Sequence, residues 1–202
     1  MAHASQIFAL NIVEYIQKHI DDSFCEEELP FKVSKRTLKK GEIICDYNQI
    51  ENNVYFLQKG IIQANIENSN GDIRIVDFFF QEDFVCSYTS LLNSAPSDVQ
   101  MIATTDCDVE IVSAMELAQA YEHSLLANQL GRKETEKLYL RKVRREKELL
   151  TLTGEERYLR LITLHPEITN QVSIGSIAKY LGIHPESLSR IRRNLVKPSN
   201  EQ

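Results

Sequence analysis

The spacing of apolar residues changes along this 202-residue chain, and that change sets what it can fold into. Residues 8–20 carry Phe8, Ile12, Val13, Ile16 and Ile20 at helical spacing, which predicts a short amphipathic helix. From Phe31 onward the apolar residues fall in short runs, at 43–44, 54–57, 61–66, 73–80, 99–103 and 109–112. Turn signals separate them: Lys40-Gly41, Lys59-Gly60, residues 68–72 with Asn70-Gly71, and Asp106. Asn-Gly between apolar runs marks a hairpin, because both residues tolerate positive φ. Regular short strands of this kind predict an antiparallel sandwich or barrel. After residue 113 the pattern turns helical and stays so. The expected class is α+β, an antiparallel β-roll of jelly-roll type with flanking helices, followed by an all-α end.

Charge divides the chain in the same way. The net charge of −6 is an average. Residues 1–123 hold 8 Lys and Arg against 20 Asp and Glu, a net −12. Residues 124–202 hold 15 against 9, a net +6. A basic module joined to an acidic one points to a nucleic-acid partner for the second part only. Within that part, residues 151–202 hold 7 basic and 5 acidic residues, so much of the excess sits on the segment before them. The 43% hydrophobic content, with only 7 Gly and 5 Pro, excludes a disordered or low-complexity chain.

The N-terminal residues have no basic region followed by a long apolar run, so no signal peptide is expected. No apolar stretch is long enough to span a bilayer. Cys25, Cys45, Cys86 and Cys107 are scattered, which argues against zinc or iron–sulfur ligation and for free thiols in a reducing cytoplasm. The five histidines, His3, His19, His123, His165 and His184, lie outside the predicted strands, so no paired metal-binding set arises there. No nucleophile–base spacing or phosphate-cradling glycine loop appears either. The chain is read as a non-enzyme without a cofactor.

Four motifs in the β-rich part carry a family resemblance. Lys40-Gly41-Glu42-Ile43 resembles the Gly-Glu opening of the cyclic-nucleotide-binding β-roll. Residues 54–60, Val-Tyr-Phe-Leu-Gln-Lys-Gly, resemble its central strand and glycine turn. Glu82-Asp83-Phe84 resembles the lead into its phosphate-binding cassette, and residues 106–112 resemble its final strand. In nucleotide-binding members a glutamate of the cassette accepts from the ribose 2′-OH, and a following arginine pairs the cyclic phosphate. The resemblance puts Ser87 at the glutamate position and Ser97 at the arginine position. Asp98 adds a negative charge beside them. The expectation is a degenerate effector pocket formed by Cys86, Ser87, Tyr88, Ser97 and Asp98. It does not bind cAMP, and it holds either another ligand or none.

Residues 115–123 predict a short helix, and residues 125–150 a long one of about 39 Å, rich in Lys, Arg, Glu and Leu. Leu126, Leu130, Leu138, Leu140, Val143, Leu149 and Leu150 give a mixed stripe rather than a clean heptad. The residues alone leave open a helix packed on its own domain or a dimer helix; the resemblance implies the dimer. The run Arg141-Lys142-Val143-Arg144-Arg145 is expected to be a solvated face paired with Glu146 and Glu148.

At Thr153-Gly154-Glu155-Glu156 a hydroxyl with a carboxylate three residues on predicts a capping box, and His165-Pro166 ends the helix it opens. Beyond it, Ile174, Ile177, Ala178 and Leu181 place one face inward. Gly182 stands at a C′ position, and Ile183 plugs the core. Pro185 sits early in a second helix, where its missing N–H is harmless, and Leu188, Ile191 and Leu195 continue the buried face. This is the two-helix, short-turn pattern that sets a recognition helix in the major groove. It resembles the helix-turn-helix of the Crp/Fnr regulators, whose base-reading glutamate and arginine fall on Glu186 and Arg190. That family's first base-reading arginine falls at Pro185, so this contact is absent. Glu186, Ser187 and Arg190 are the candidate base readers, and Ser173, Ser176, His184, Ser189, Arg192 and Arg193 the candidate phosphate contacts. Only seven residues follow Leu195, which leaves the usual winged hairpin missing or vestigial.

The resulting expectation is a dimeric transcription regulator resembling Crp/Fnr proteins. Residues 1–123 form the sensor, 124–150 the dimerisation helix and 151–202 the DNA-binding domain. Its partners are double-stranded DNA with a pseudo-palindromic site, RNA polymerase and a second copy of itself, with no membrane and an unassigned effector. The competing expectation is a sensor or interaction module that binds a cyclic nucleotide or other small ligand and no DNA.

Overall fold

The computed structural model describes residues 9–196. Among these the chain divides into two compact units, residues 9–64 with 78–135, and residues 65–77 with 136–196. Phe8, expected to open the first helix, and residues 197–202, where the winged hairpin is expected to be missing or vestigial, lie outside the described residues.

The first helix, α1, spans Ile12–His19. Asn11 caps it: its side chain accepts from the Glu14 N–H, and the Glu14 carboxylate returns a bond to the Asn11 N–H. That capping box, invisible to an apolar-spacing argument, sets the start later than expected. Buried Glu110 also accepts the Ile12 N–H at 2.7 Å, which satisfies another free donor of the first turn.

Among the described residues eight strands follow: β1 Ser34–Leu38, β2 Ile43–Cys45, β3 Asn53–Lys59, β4 Ile62–Glu67, β5 Ile73–Phe79, β6 Phe84–Val85, β7 Gln100–Ala103 and β8 Cys107–Ser113. They build two four-stranded sheets, in the orders β1-β8-β3-β6 and β2-β7-β4-β5. The β1–β8, β3–β8, β3–β6 and β2–β7 pairs are antiparallel. This is the expected jelly-roll-like domain. The predicted Asn70-Gly71 turn joins β4 to β5, with Gly71 at φ +81 and the Asn68 side chain accepting from Asn70 and Asp72 N–H.

Four successive residues of β3, from Val54 to Leu57, are buried, because the strand is covered on both faces. On one of them Phe56 packs against Tyr15 of α1, ring centroids 5.3 Å apart, and against Phe84 at 4.9 Å. This cluster includes Ile12, Ile16, Val112, Ala127 and Leu130. Apolar spacing does not predict β1, β6 or α2, which spans Tyr88–Asn93. Strand β1 is polar and exposed except at Leu38, and α2 interrupts the region between β6 and β7.

Helix α3, Ala114–His123, is capped by Ser113, and α4, Leu125–Thr151, runs on from Ser124 as one 27-residue helix. In the second unit α5 spans Gly154–Leu164, with the predicted Thr153–Glu156 capping box formed. A short α6, Ile168–Gln171, precedes α7, Ile174–Leu181, and α8, Pro185–Val196. Tyr158, Leu161, Ile168, Val172, Ile177, Ala178, Leu181 and Leu188 make the core. Gly182 ends α7 in the left-handed conformation at φ +67, which a Cβ would penalise. Ile174 and Leu195, expected to face inward, are 38% and 42% exposed. Both lie at helix ends, where the neighbouring helices no longer cover the face.

The run 141–145 also departs from expectation. Arg141 and Lys142 reach the buried carboxylate of Asp77 at 3.5 and 3.7 Å, and Arg145 turns to Tyr180. A buried carboxylate needs a nearby cation more than exposed Glu146 does, so Arg141 and Lys142 turn toward Asp77, while Arg144 stays on the exposed face.

Candidate functional site

Two groups of side chains carry functional interest, one in each unit. The first lies where β6 runs into α2. Val85 ends the strand, and Ser87 precedes the first turn of α2. Ser87 and Ser97 are only 1% and 3% exposed, and their hydroxyls lie 2.6 Å apart. Ser97 Oγ in turn bonds the carbonyl of Val99 at 2.6 Å and accepts its N–H at 3.1 Å.

Glu51, which sequence reasoning passed over, joins them. Its carboxylate is buried and accepts the N–H of Ser87 at 3.2 Å and those of Asn52 and Asn53 at 3.1 and 3.2 Å. Burial pushes this carboxyl above its ordinary value, against the pull of those three backbone donors. Burial, aided by the Glu51 charge, also raises the Cys45 thiol to about 11 and the Cys86 thiol to about 12. Both are therefore protonated and unreactive near neutrality. Cys86 is half-buried, as is Tyr88, whose hydroxyl bonds Thr135 of α4 at 3.1 Å. Asp98 is exposed, so the negative charge inside this cluster belongs to Glu51 instead. All four cysteines are free, with Cys25 exposed and Cys45 and Cys107 buried.

The second group belongs to α7 and α8. Ser173 caps α7: its Oγ accepts the Ser176 N–H at 3.0 Å and lies 2.9 Å from the Ser176 hydroxyl. Both candidate phosphate contacts therefore sit at the positive end of that helix. The turn of residues 182–184 leads into α8 with Pro185 at its first position. Glu186 and Arg190, one helical turn apart, are exposed, the Glu186 side chain by 92%. Ser187 and Ser189 are half-buried beside them, as is Arg192, while Arg193 is exposed. The exposed His184 imidazole lies 3.9 Å from the Glu186 carboxylate. Leu188, at 0% exposure, anchors the opposite side of the helix. Sequence reasoning also missed Arg157, whose guanidinium bonds the carbonyls of Leu152 and Leu181.

Among the described residues no cluster of His, Cys, Asp and Glu could hold a metal ion, and no helix is long and apolar enough to cross a membrane.

Residues 35–124 match the cyclic nucleotide-binding domain family. No curated protein matches the sequence. Among solved structures, the chain is similar to the c-di-GMP-responsive global regulator CLP of Xanthomonas campestris, at 19% identity and TM-score 0.62 over 81% of this chain and 86% of that one. FixK2 from Bradyrhizobium japonicum shows 20% identity and TM-score 0.68 over 81% and 84%. A putative transcriptional regulator of the crp/fnr family from Eubacterium rectale shows 16% identity and TM-score 0.69 over 87% and 84%. Residues 35–124 thus match the cyclic nucleotide-binding domain, within a chain whose fold is similar to that of a solved structure described as a putative transcriptional regulator of the crp/fnr family.

Proposed function

We propose that the protein is a dimeric, DNA-binding transcription regulator of the Crp/Fnr type whose effector pocket is closed by its own side chains. Residues 1–123 serve as the sensor, 124–150 as the dimerisation helix and 151–202 as the DNA-binding domain. The observation that carries this reading is α8. It presents Glu186 and Arg190 to solvent one turn apart, on a helix anchored by fully buried Leu188 and entered through a short turn from α7. Arg190 suits guanine O6 and N7, and Glu186 accepts from cytosine N4. Ser187 lies beside them. Ser173, Ser176, His184, Ser189, Arg192 and Arg193 supply phosphate contacts that position the helix without specifying sequence.

The dimer is supported by α4, where Leu125, Tyr139, Leu140 and Leu150 are 75%, 67%, 65% and 79% exposed in the single chain. A second copy covers such side chains and sets two α8 helices about one DNA turn apart, on a pseudo-palindromic site. RNA polymerase is the protein partner that a bound regulator would address, and the reducing cytoplasm suits four free thiols.

The test is selection of bound DNA from a random pool by the full-length chain, followed by titration of the recovered sequence. A pseudo-palindrome bound with steep salt dependence is expected. Failure to enrich any sequence would sink the reading.

A further inference from the structure

Helix α7 has only eight residues, and its last four carbonyls, Ala178 to Leu181, have no partner within the helix. Two are met by the turn that follows. The Gly182 N–H reaches Ala178 O and Lys179 O, and the Ile183 N–H donates to Ala178 O at 3.1 Å. The other two are met from elsewhere in the unit. Arg145 of α4 donates through Nη2 to Tyr180 O. Arg157 of α5 donates through Nη2 to Leu181 O at 2.9 Å. The Arg145 guanidinium also lies 4.0 Å from the centroid of the Tyr180 ring.

Two cations thus converge on the negative end of one short helix. Burial, and then the charge of Arg145, pull the Arg157 guanidinium below its ordinary value. Closely placed like charges persist here because each is spent on a helix-terminal carbonyl, a charge-assisted bond at the favourable end of the dipole. The planar guanidinium suits both tasks of Arg145, bonding the carbonyl and stacking on the ring, and a lysine ammonium cannot do both.

We propose that Arg145 and Arg157 are positioning residues for DNA reading. They clamp the exit of α7 to α4 and α5 and so fix the direction in which the turn 182–184 launches α8. Neither touches DNA. The proposal rests on the DNA-binding reading above, and it deepens it by assigning two basic residues to geometry rather than to phosphate.

The test uses the full-length chain, its selected DNA site and scrambled DNA of equal length. Arg145→Lys keeps the charge and loses the stacked fork; Tyr180→Leu removes the ring and keeps the carbonyl. Each is expected to weaken specific binding about tenfold. Scrambled-DNA affinity and the salt slope should stay unchanged. The double variant should lose no more than the worse single one, because both changes break one contact. Independently of DNA, amide exchange at Gly182 and Ile183 should speed up about tenfold in both variants. Equal losses on specific and scrambled DNA, with a smaller salt slope, would make Arg145 a phosphate contact and overturn the proposal. So would unchanged specific affinity with unchanged exchange. If the unmodified chain selects no site, the DNA reading falls by itself, and the exchange comparison alone decides whether the clamp exists.

Discussion

The hydroxyls of Ser87 and Ser97 are hydrogen-bonded at 2.6 Å in a site from which solvent is almost excluded. Family resemblance puts a ribose-binding carboxylate and a phosphate-binding guanidinium at these two positions. Here the Ser87 hydroxyl donates to Ser97, whose own proton goes to the Val99 carbonyl, and no cation is present in the pair to meet a phosphate. Loss of a buried ionic contact costs about 3 kcal/mol, roughly a hundredfold in affinity. Calorimetric titration with cAMP is expected to give no heat at micromolar concentrations. A low-micromolar dissociation constant would contradict the closed pocket.

Glu51 makes stability depend on pH with an unusual sign. Burial raises its carboxyl above the ordinary 4.5, so the native chain keeps a proton over a range in which the unfolded chain has released it. Stability contributed by this group is therefore present at low pH and is lost as pH rises from 4.5 through the native value. Unfolding free energies of wild type and Glu51→Ala, compared from about pH 4 to about pH 8, should show wild type losing ground as pH rises. A flat or rising difference would refute the assignment.

Gly60 follows β3 with φ +101, and a Cβ there would stand 2.6 Å from both Asp106 O and Cys107 Sγ. Gly41 has φ +87 with nothing within 4 Å of the same added atom. Gly60→Ala should therefore destabilise by about 3 kcal/mol, combining backbone strain with overpacking. Gly41→Ala should cost only about 1 kcal/mol from its backbone. Urea unfolding of the two variants separates them; equal costs would show that the close approach at Gly60 is relieved by movement.

Arg190→Ala should weaken binding to the selected DNA by about 1–3 kcal/mol and relax preference at one base position. Arg193→Ala should weaken selected and scrambled DNA alike and lower the salt slope by about one. Fluorescence anisotropy across a salt series distinguishes the two behaviours, and an equal loss on both DNAs for Arg190→Ala would count against base readout.

The exposed apolar side chains of α4 should matter for assembly. Tyr139→Glu with Leu140→Glu adds two charges where the proposed partner copy packs, and sedimentation should show a shift from dimer to monomer. Helix content should stay constant, because both positions are already exposed. A dimer unchanged by both charges would place the interface elsewhere.

Much of this was legible in the sequence because it depends on local chemistry. Asn70-Gly71, the Thr153–Glu156 box and Gly182 each act through backbone geometry within a few residues, and each stands where spacing predicts. What stayed hidden depends on long-range burial. Strand β1 has little apolar pattern, since only Leu38 faces the core, and it is recognisable only by its pairing with β8. Glu51 is a single charge ahead of an apolar run, and nothing local reveals that it reaches Ser87, 36 residues away. Arg145 and Arg157 look like ordinary helix-surface cations until the end of α7 is placed beside them.

The closed cluster also gives any attempt to rebuild a nucleotide site a required order of steps. Ser87→Glu made first would set a second carboxylate against that of Glu51, which already accepts the Ser87 N–H. Two like charges in a buried site would oppose folding before any ligand could help. Ser97→Arg made first would instead bring a cation toward a buried anion. The route back to ligand binding is therefore directional, and the variant that looks closest to the goal is the one to avoid as a first step.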